Sequence, residues 1–263
     1  MNEQKLLSTD LFLKWFSKTL NLGFLNYGGL HITALGLFLL SRFKNNNQTL
    51  LVLLEDEASS KALYEFCWCF YPEFIYYFPK TQKSISHIQG FVPEYKRYQT
   101  EAYYALSVKK PKLFISSLSG VHEKLFPARQ NTFNSFLLKE NTGISRGSLI
   151  RVLSRWGYNK NEKTVCPKTY SVRGCIVDVF PITSRHPIRV EFFNDKIESI
   201  RIFNPTSQRT ITKTKEIALL PPIQTNKKFI SMFDLTDKNT KKLFVKSKNN
   251  LFSITENSPN SNT

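Results

Sequence analysis

Residues 170–209 read YSVRGCIVDVFPITSRHPIRVEFFNDKIESIRIFNPTSQR, and this stretch decides the fold of the second half of the chain. The run 170–180 is rich in β-branched and aromatic residues and closes on Pro181, which has no N–H to give to a ladder. A turn over 182–187 follows. Residues 188–193 then alternate apolar and polar side chains at the period of a half-buried strand, Asn194-Asp195 tolerate positive φ in a turn, and 196–203 alternate again before Asn204-Pro205. The pattern predicts a β-rich meander with Arg173, Arg189, Glu191 and Asp195 on an exposed sheet face and the Val, Ile and Phe side chains packed below.

Upstream, the grammar changes. Residues 6–20 place Leu7, Leu11, Phe12, Trp15 and Phe16 at helical spacing, and Tyr27-Gly28-Gly29 reads as a loop feeding a more apolar helix over 32–43. Short apolar runs at 50–54, 74–78 and 113–116 alternate with helical patterns at 58–71 and 94–106, the order expected of an α/β domain with a parallel sheet. The acidic triplet Glu55-Asp56-Glu57 suits a helix N-terminus. Residues 145–156 read as an amphipathic helix capped by Gly157, a hinge between two modules.

Several chemistries are disfavoured by the residues themselves. A phosphate-binding loop needs Gly residues followed by Lys and Ser/Thr, whereas 27–33 read YGGLHIT without the Lys, so no nucleotide cofactor is expected. Cys67, Cys69, Cys166 and Cys175 have no second Cys-x-x-Cys and few histidines to join them, which argues for reduced thiols rather than a metal site. The apolar run 32–40 is about half the length of a membrane span, and 1–10 are polar, so a soluble, cytoplasmic protein is expected. The formal charge of +17 favours anionic partners, nucleic acid among them. Beyond residue 226, Lys, Asn, Ser and Thr dominate, and the composition predicts a basic, disordered tail over 226–263.

Leu153-x-x-Trp156-Gly157-Tyr158, the Arg173-Gly174 pair followed by Phe180-Pro181, then Arg189-x-Glu191-Phe192-Phe193 and Ile197-x-Ser199-Ile200-Arg201 stand at fixed spacing. In that order they resemble the UvrA-binding domain shared by the excision-repair protein UvrB and the transcription-repair coupling factors. The resemblance is strong over 149–209, architectural back to residue 6, and leans to the coupling factors through the exit FNPTSQR at 203–209. It implies a degenerate ATPase-like parallel-sheet lobe over 1–125, an inserted smaller β-rich UvrA-binding domain over 126–210, a return to the first lobe over 211–225, and the tail beyond.

It also implies a non-catalytic module that recruits UvrA to damaged DNA in nucleotide excision repair. Arg173, Arg189 and Glu191 would bond an acidic face of UvrA, with Phe193 as an apolar contact. An alternative stays open, in which Arg189 and Glu191 only solvate the sheet. Asp178 and Asp195 read as strand-edge and turn residues, Arg201 and Arg209 as solvated. Two other functions also remain, a basic nucleic-acid-binding protein and the remnant of a DNA-dependent ATPase or helicase. Lys168 stands where the family usually has Gly, so a reshaped turn is expected there. The family continues into a polymerase-binding domain and a DNA-translocating motor that this sequence does not contain; it reads either as a fragment or as a stand-alone lobe.

Overall fold

The computed structural model describes residues 27–81, 92–108, 110–122, 124–125, 135–222, 230–231, 240–248 and 251–256. The helix expected over 6–20 lies outside them. The elements in chain order are β1 (Tyr27–Leu30), α1 (Ile32–Asn46), β2 (Leu50–Leu54), α2 (Glu57–Trp68), β3 (Ile75–Phe78), α3 (Glu94–Ser107), β4 (Leu113–Ser117), α4 (Leu118–Val121), β5 (Lys124–Leu125), β6 (Phe136–Lys139) and α5 (Arg146–Arg155). There follow β7 (Asn159–Lys160), β8 (Thr169–Arg173), β9 (Ile176–Phe180), β10 (Ile188–Phe193), β11 (Lys196–Phe203), β12 (Thr210–Thr214), β13 (Glu216–Leu219), β14 (Ile230–Ser231), β15 (Lys241–Lys248) and β16 (Leu251–Glu256). They fall into two compact units.

The first unit is the expected α/β lobe. Its sheet runs β1-β16-β15-β2-β4-β3, with β15, β2, β4 and β3 parallel and β16 and β1 antiparallel at one edge. Strands β2 and β4 are buried at every position, which is why they read as unbroken apolar runs rather than alternating ones. Asp56 caps α2 by accepting a hydrogen bond from Ser59 N at 2.7 Å, the role its acidic triplet suggested.

At the carboxyl ends of β2, β3 and β4, where open parallel sheets hold their ligands, Glu57 is the centre of a polar cluster. Its carboxylate accepts from the Tyr77 hydroxyl, Lys80 N and the Ser117 hydroxyl. Gly120 lies so close that an added Cβ would stand 2.8 Å from Phe78 O. Tyr27, Gly28 and Gly29, expected as a loop, instead belong to β1, in which Tyr27 pairs with Ile254 and Leu30 with Phe252 of β16 and the register is irregular between them.

Two further expectations are corrected. The tail is not structureless throughout: β15 pairs in parallel with β2 along Lys241–Val245, and β16 turns back on it. The apolar alternation of Leu243 with Val245 and of Phe252 with Ile254, all buried, drives this pairing and was masked by the surrounding Lys, Asn and Ser. Residues 211–222, the described part of the stretch expected to return to the first lobe, stay in the second unit, where β13 pairs with β6.

The second unit is built on the sheet β12-β11-β10-β9-β8-β7, antiparallel except for the short β7·β8 pair. One face carries Tyr170, Val177, Val179, Ile188, Val190, Ile197 and Ile200, and packs on Leu149 and Leu153 of α5 and on Leu138 and Leu219 of the β6·β13 ribbon. Ser145 caps α5 by accepting from Ser148 N. Within this core the Tyr158 hydroxyl accepts from Ile182 N, and burial pushes its pKa up to about 12 against that bond. Lys168 forms the turn at the position where the family usually has glycine and a reshaped turn was expected. It adopts a left-handed φ of 65°, its N–H bonds Phe180 O and its carbonyl accepts from Asn159 N, so two tertiary hydrogen bonds hold a conformation costly for a side-chain-bearing residue. Among the described residues no helix is long and apolar enough to cross a membrane.

Because Leu243 is fully buried against the parallel sheet, Leu243→Ala is expected to lower unfolding free energy by about 2–5 kcal/mol, read from urea denaturation by circular dichroism. An unchanged midpoint would mean that the β15·β2 pairing contributes nothing.

Candidate functional site

The other face of the second sheet is polar, and register decides who meets whom. Ser171 stands opposite Asp178, Asp178 opposite Arg189, Arg189 opposite Arg201 and Arg201 opposite Lys213, a lateral row across five strands. In the neighbouring row Arg173 faces Ile176, Ile176 faces Glu191 and Glu191 faces Ser199. Side chains two apart on a strand share a face, so the charged residues of 170–203 gather on one surface.

Asp178 is the hub. Its side chain is 1% exposed, and its carboxylate receives Arg189 Nε at 2.7 Å, Arg189 Nη2 at 2.9 Å and Arg173 Nη2 at 2.7 Å. The Arg189 fork is thus engaged edge-on by both carboxylate oxygens. Arg189 Nη2 also donates to Gln208 Oε1 at 3.1 Å, and the guanidinium lies over the Phe203 ring with its Cζ 4.5 Å from the centroid. The Asp178 hydrogen bonds foremost, and the charges of Asp178 and Glu191 with them, raise the Arg189 pKa above its ordinary value against the opposing effect of burial, so its charge is permanent.

Gln208 reaches this position through the turn that ends β11. Asn204 Oδ1 accepts from Thr206 N and Ser207 N, and Gln208 takes a φ of 59° with its N–H on Asn204 O. Glu191 is likewise occupied: its carboxylate accepts from Arg201 Nη2 and, at 3.1 Å, from the Ser199 hydroxyl.

The four residues singled out from sequence therefore separate into two classes. Arg189, with a side chain 19% exposed, and Glu191 are held by intramolecular partners. Arg173 commits one nitrogen to Asp178 but keeps a side chain 52% exposed, and Phe193 is 64% exposed, a large apolar ring in solvent. Arg173 and Phe193 end β8 and β10, and the two hairpin tips adjoin because Phe192 N donates to Cys175 O at 3.0 Å. Both tips are two-residue turns. Gly174 supplies a positive φ of 55° in the first, and Asn194 and Asp195, at 43° and 59°, form the second. Arg146 Nη1, from the first turn of α5, fastens the first tip by donating to Gly174 O.

Asp178 was expected as an edge residue and Arg201 as solvated. The structure corrects both, since each lies inside an ion pair with a partner from the adjacent strand. Asp195 keeps its turn role.

Comparison with known proteins converges on the same segment. Residues 136–224 match the family described as UvrB interaction domain. The transcription-repair-coupling factor of Myxococcus xanthus is 38% identical over 107 residues, covering 41% of this chain and 9% of that protein. The coupling factor of Haemophilus influenzae is 32% identical over 120 residues, or 46% of this chain and 10% of that protein. UvrABC system protein B of Acinetobacter baylyi is 29% identical over 180 residues, covering 57% of this chain and 26% of that protein. The chain thus spans about a tenth of the coupling factors and about a quarter of UvrABC system protein B.

The burial of Asp178 sets a stability test. Asp178→Ala leaves the enclosed Arg189 charge without its partner and is expected to cost about 3–5 kcal/mol. Arg173→Ala removes a half-exposed partner and should cost under about 1 kcal/mol. Equal losses in thermal unfolding would show that Asp178 is not the hub.

Proposed function

We propose that this chain is a non-catalytic protein-interaction module that binds UvrA and recruits it in nucleotide excision repair, as the N-terminal part of a transcription-repair coupling factor would. The observation that carries this is the coincidence of the UvrB interaction domain match at 136–224 with a surface that offers an exposed guanidinium, Arg173, beside an exposed aromatic ring, Phe193. Arginine and aromatic residues dominate the energetics of protein interfaces, and a rigid sheet presents them with little entropy left to lose. Arg189 and Glu191 belong to the site as supports: they fix the strand from which Phe193 projects. The partner surface is acidic with an apolar pocket.

Acting on UvrA, the protein would work in the cytoplasm, beside the chromosome. Direct contact with DNA is a second reading, favoured by the charge of +17. Against it as the role of this face, the arginines Arg189 and Arg201 are already bonded to carboxylates. Against an ATPase remnant as an active enzyme stands the stretch 27–33, YGGLHIT, which lacks the Lys that a phosphate-binding loop places after its glycines.

Calorimetric titration of the intact chain with UvrA from the same source is expected to give saturable binding. Arg173→Ala and Phe193→Ala should each weaken it by about tenfold or more, with at most a small loss of melting temperature. Absence of binding by the intact chain, or full binding by the double variant, would remove the proposal.

A further inference from the structure

A chain this basic faces a selectivity problem, since every exposed cation on it attracts nucleic acid as readily as an acidic protein. The polar face contains an answer. Three guanidiniums, those of Arg173, Arg189 and Arg201, lie on it, and two carboxylates are set between them on the adjacent strands. Asp178 binds two of the arginines and Glu191 the third.

We infer that Asp178 and Glu191 are specificity-determining residues, which hold the arginines of this face in fixed positions and deny them to phosphate backbones. This rests on the reading of the face as a UvrA-binding surface, and says how that surface discriminates against polyanions. The physics is differential. A duplex attracts cations by releasing condensed counterions, one for about each phosphate neutralised, and it does so without demanding a geometry. Pairing with a carboxylate cancels a guanidinium's charge: three guanidiniums against two carboxylates leave this cluster one net positive charge instead of three, and it releases correspondingly fewer counterions. A protein partner with acceptors at matching positions can still use the free edge of Arg173, because what it reads is placement. Discrimination thus comes from an element that penalises the wrong partner.

Three alternatives for the carboxylates are less suited to what is observed. Solubility would be served by exposed acids, whereas Asp178 is 1% exposed. A metal site would need converging donors, and among the described residues no group of His, Cys, Asp or Glu could hold an ion. Stability alone would be met by an apolar pair of similar volume, which is often the more stable choice in a buried position.

The test uses the intact chain, with Asp178→Asn and Glu191→Gln, against a random-sequence duplex and against UvrA. Each variant uncovers at least one arginine, so duplex affinity at about 50 mM salt should rise about three- to tenfold, with the slope of log affinity against log salt steeper by about one. Asp178→Asn should at the same time lose about tenfold in UvrA affinity, as Arg173 loses its anchor. Duplex affinity unchanged in both variants would overturn the inference, and so would UvrA affinity of folded Asp178→Asn within twofold of wild type. Should Asp178→Asn fail to fold, Glu191→Gln decides alone, because Glu191 is only partly buried and its loss leaves the Asp178 hub in place. If the wild-type chain does not bind UvrA, the functional reading fails while the duplex measurement still decides whether the carboxylates mask the arginines.

Discussion

A buried carboxylate between two arginines is the constraint on which the second unit depends. Asp178 cannot be taken from water without its partners, and Arg189, largely enclosed over Phe203, would be left with an uncompensated charge without Asp178. The pair locks β9 to β10, Arg173 draws in β8 beside them, and Gln208 carries the restraint into the loop that leads to β12. With the opposite face closed by α5 and the β6·β13 ribbon, both sides of the sheet are specified, one by apolar packing and the other by charge. The hairpin tips inherit this rigidity. Arg173 and Phe193 are exposed, yet each ends a strand whose register cannot slip without breaking an ion pair.

Most of this sheet was legible in the sequence, since period-two alternation over 188–203 and the turn chemistry of Gly174 and Asn194-Asp195 each name one conformation. The ion pairs were not. Alternation tells which face Asp178, Arg189, Glu191 and Arg201 occupy, but who bonds whom depends on cross-strand register, and that is set by turn lengths and by the bulge between Glu191 and Phe192. Asp178 was read as a strand-edge residue, and its partners lie five and eleven positions away in the sequence. Gln208 carried no signal at all: its reach to Arg189 follows from a left-handed backbone that Asn204, four residues earlier, holds by accepting its N–H.

The first unit shows the opposite balance. Runs such as LLVLL at 50–54 and LFISS at 113–117 announced buried parallel strands, and both were found fully enclosed. What composition concealed was the edge of that sheet. Lys and Asn dominate the last forty residues roughly, a mixture that ordinarily cannot bury enough apolar surface to fold, yet the four alternating side chains Leu243, Val245, Phe252 and Ile254 suffice once β2 offers a parallel ladder. At the carboxyl end of the same sheet Glu57 bonds to the Tyr77 and Ser117 hydroxyls, so the place where related architectures receive a ligand is held together by the chain's own carboxylate.

The proposed function thus rests on a surface: a supported polar sheet face with two exposed tips, Arg173 and Phe193, that are proposed to meet the partner. Hydrogen–deuterium exchange of the intact chain, alone and with saturating UvrA, probes that assignment at the level of backbone segments. The expected result is added protection at residues 173–176 and 192–196, the adjoining tips, with the first unit unchanged. Protection confined to the first unit, with both tips exchanging as in the free chain, would contradict it.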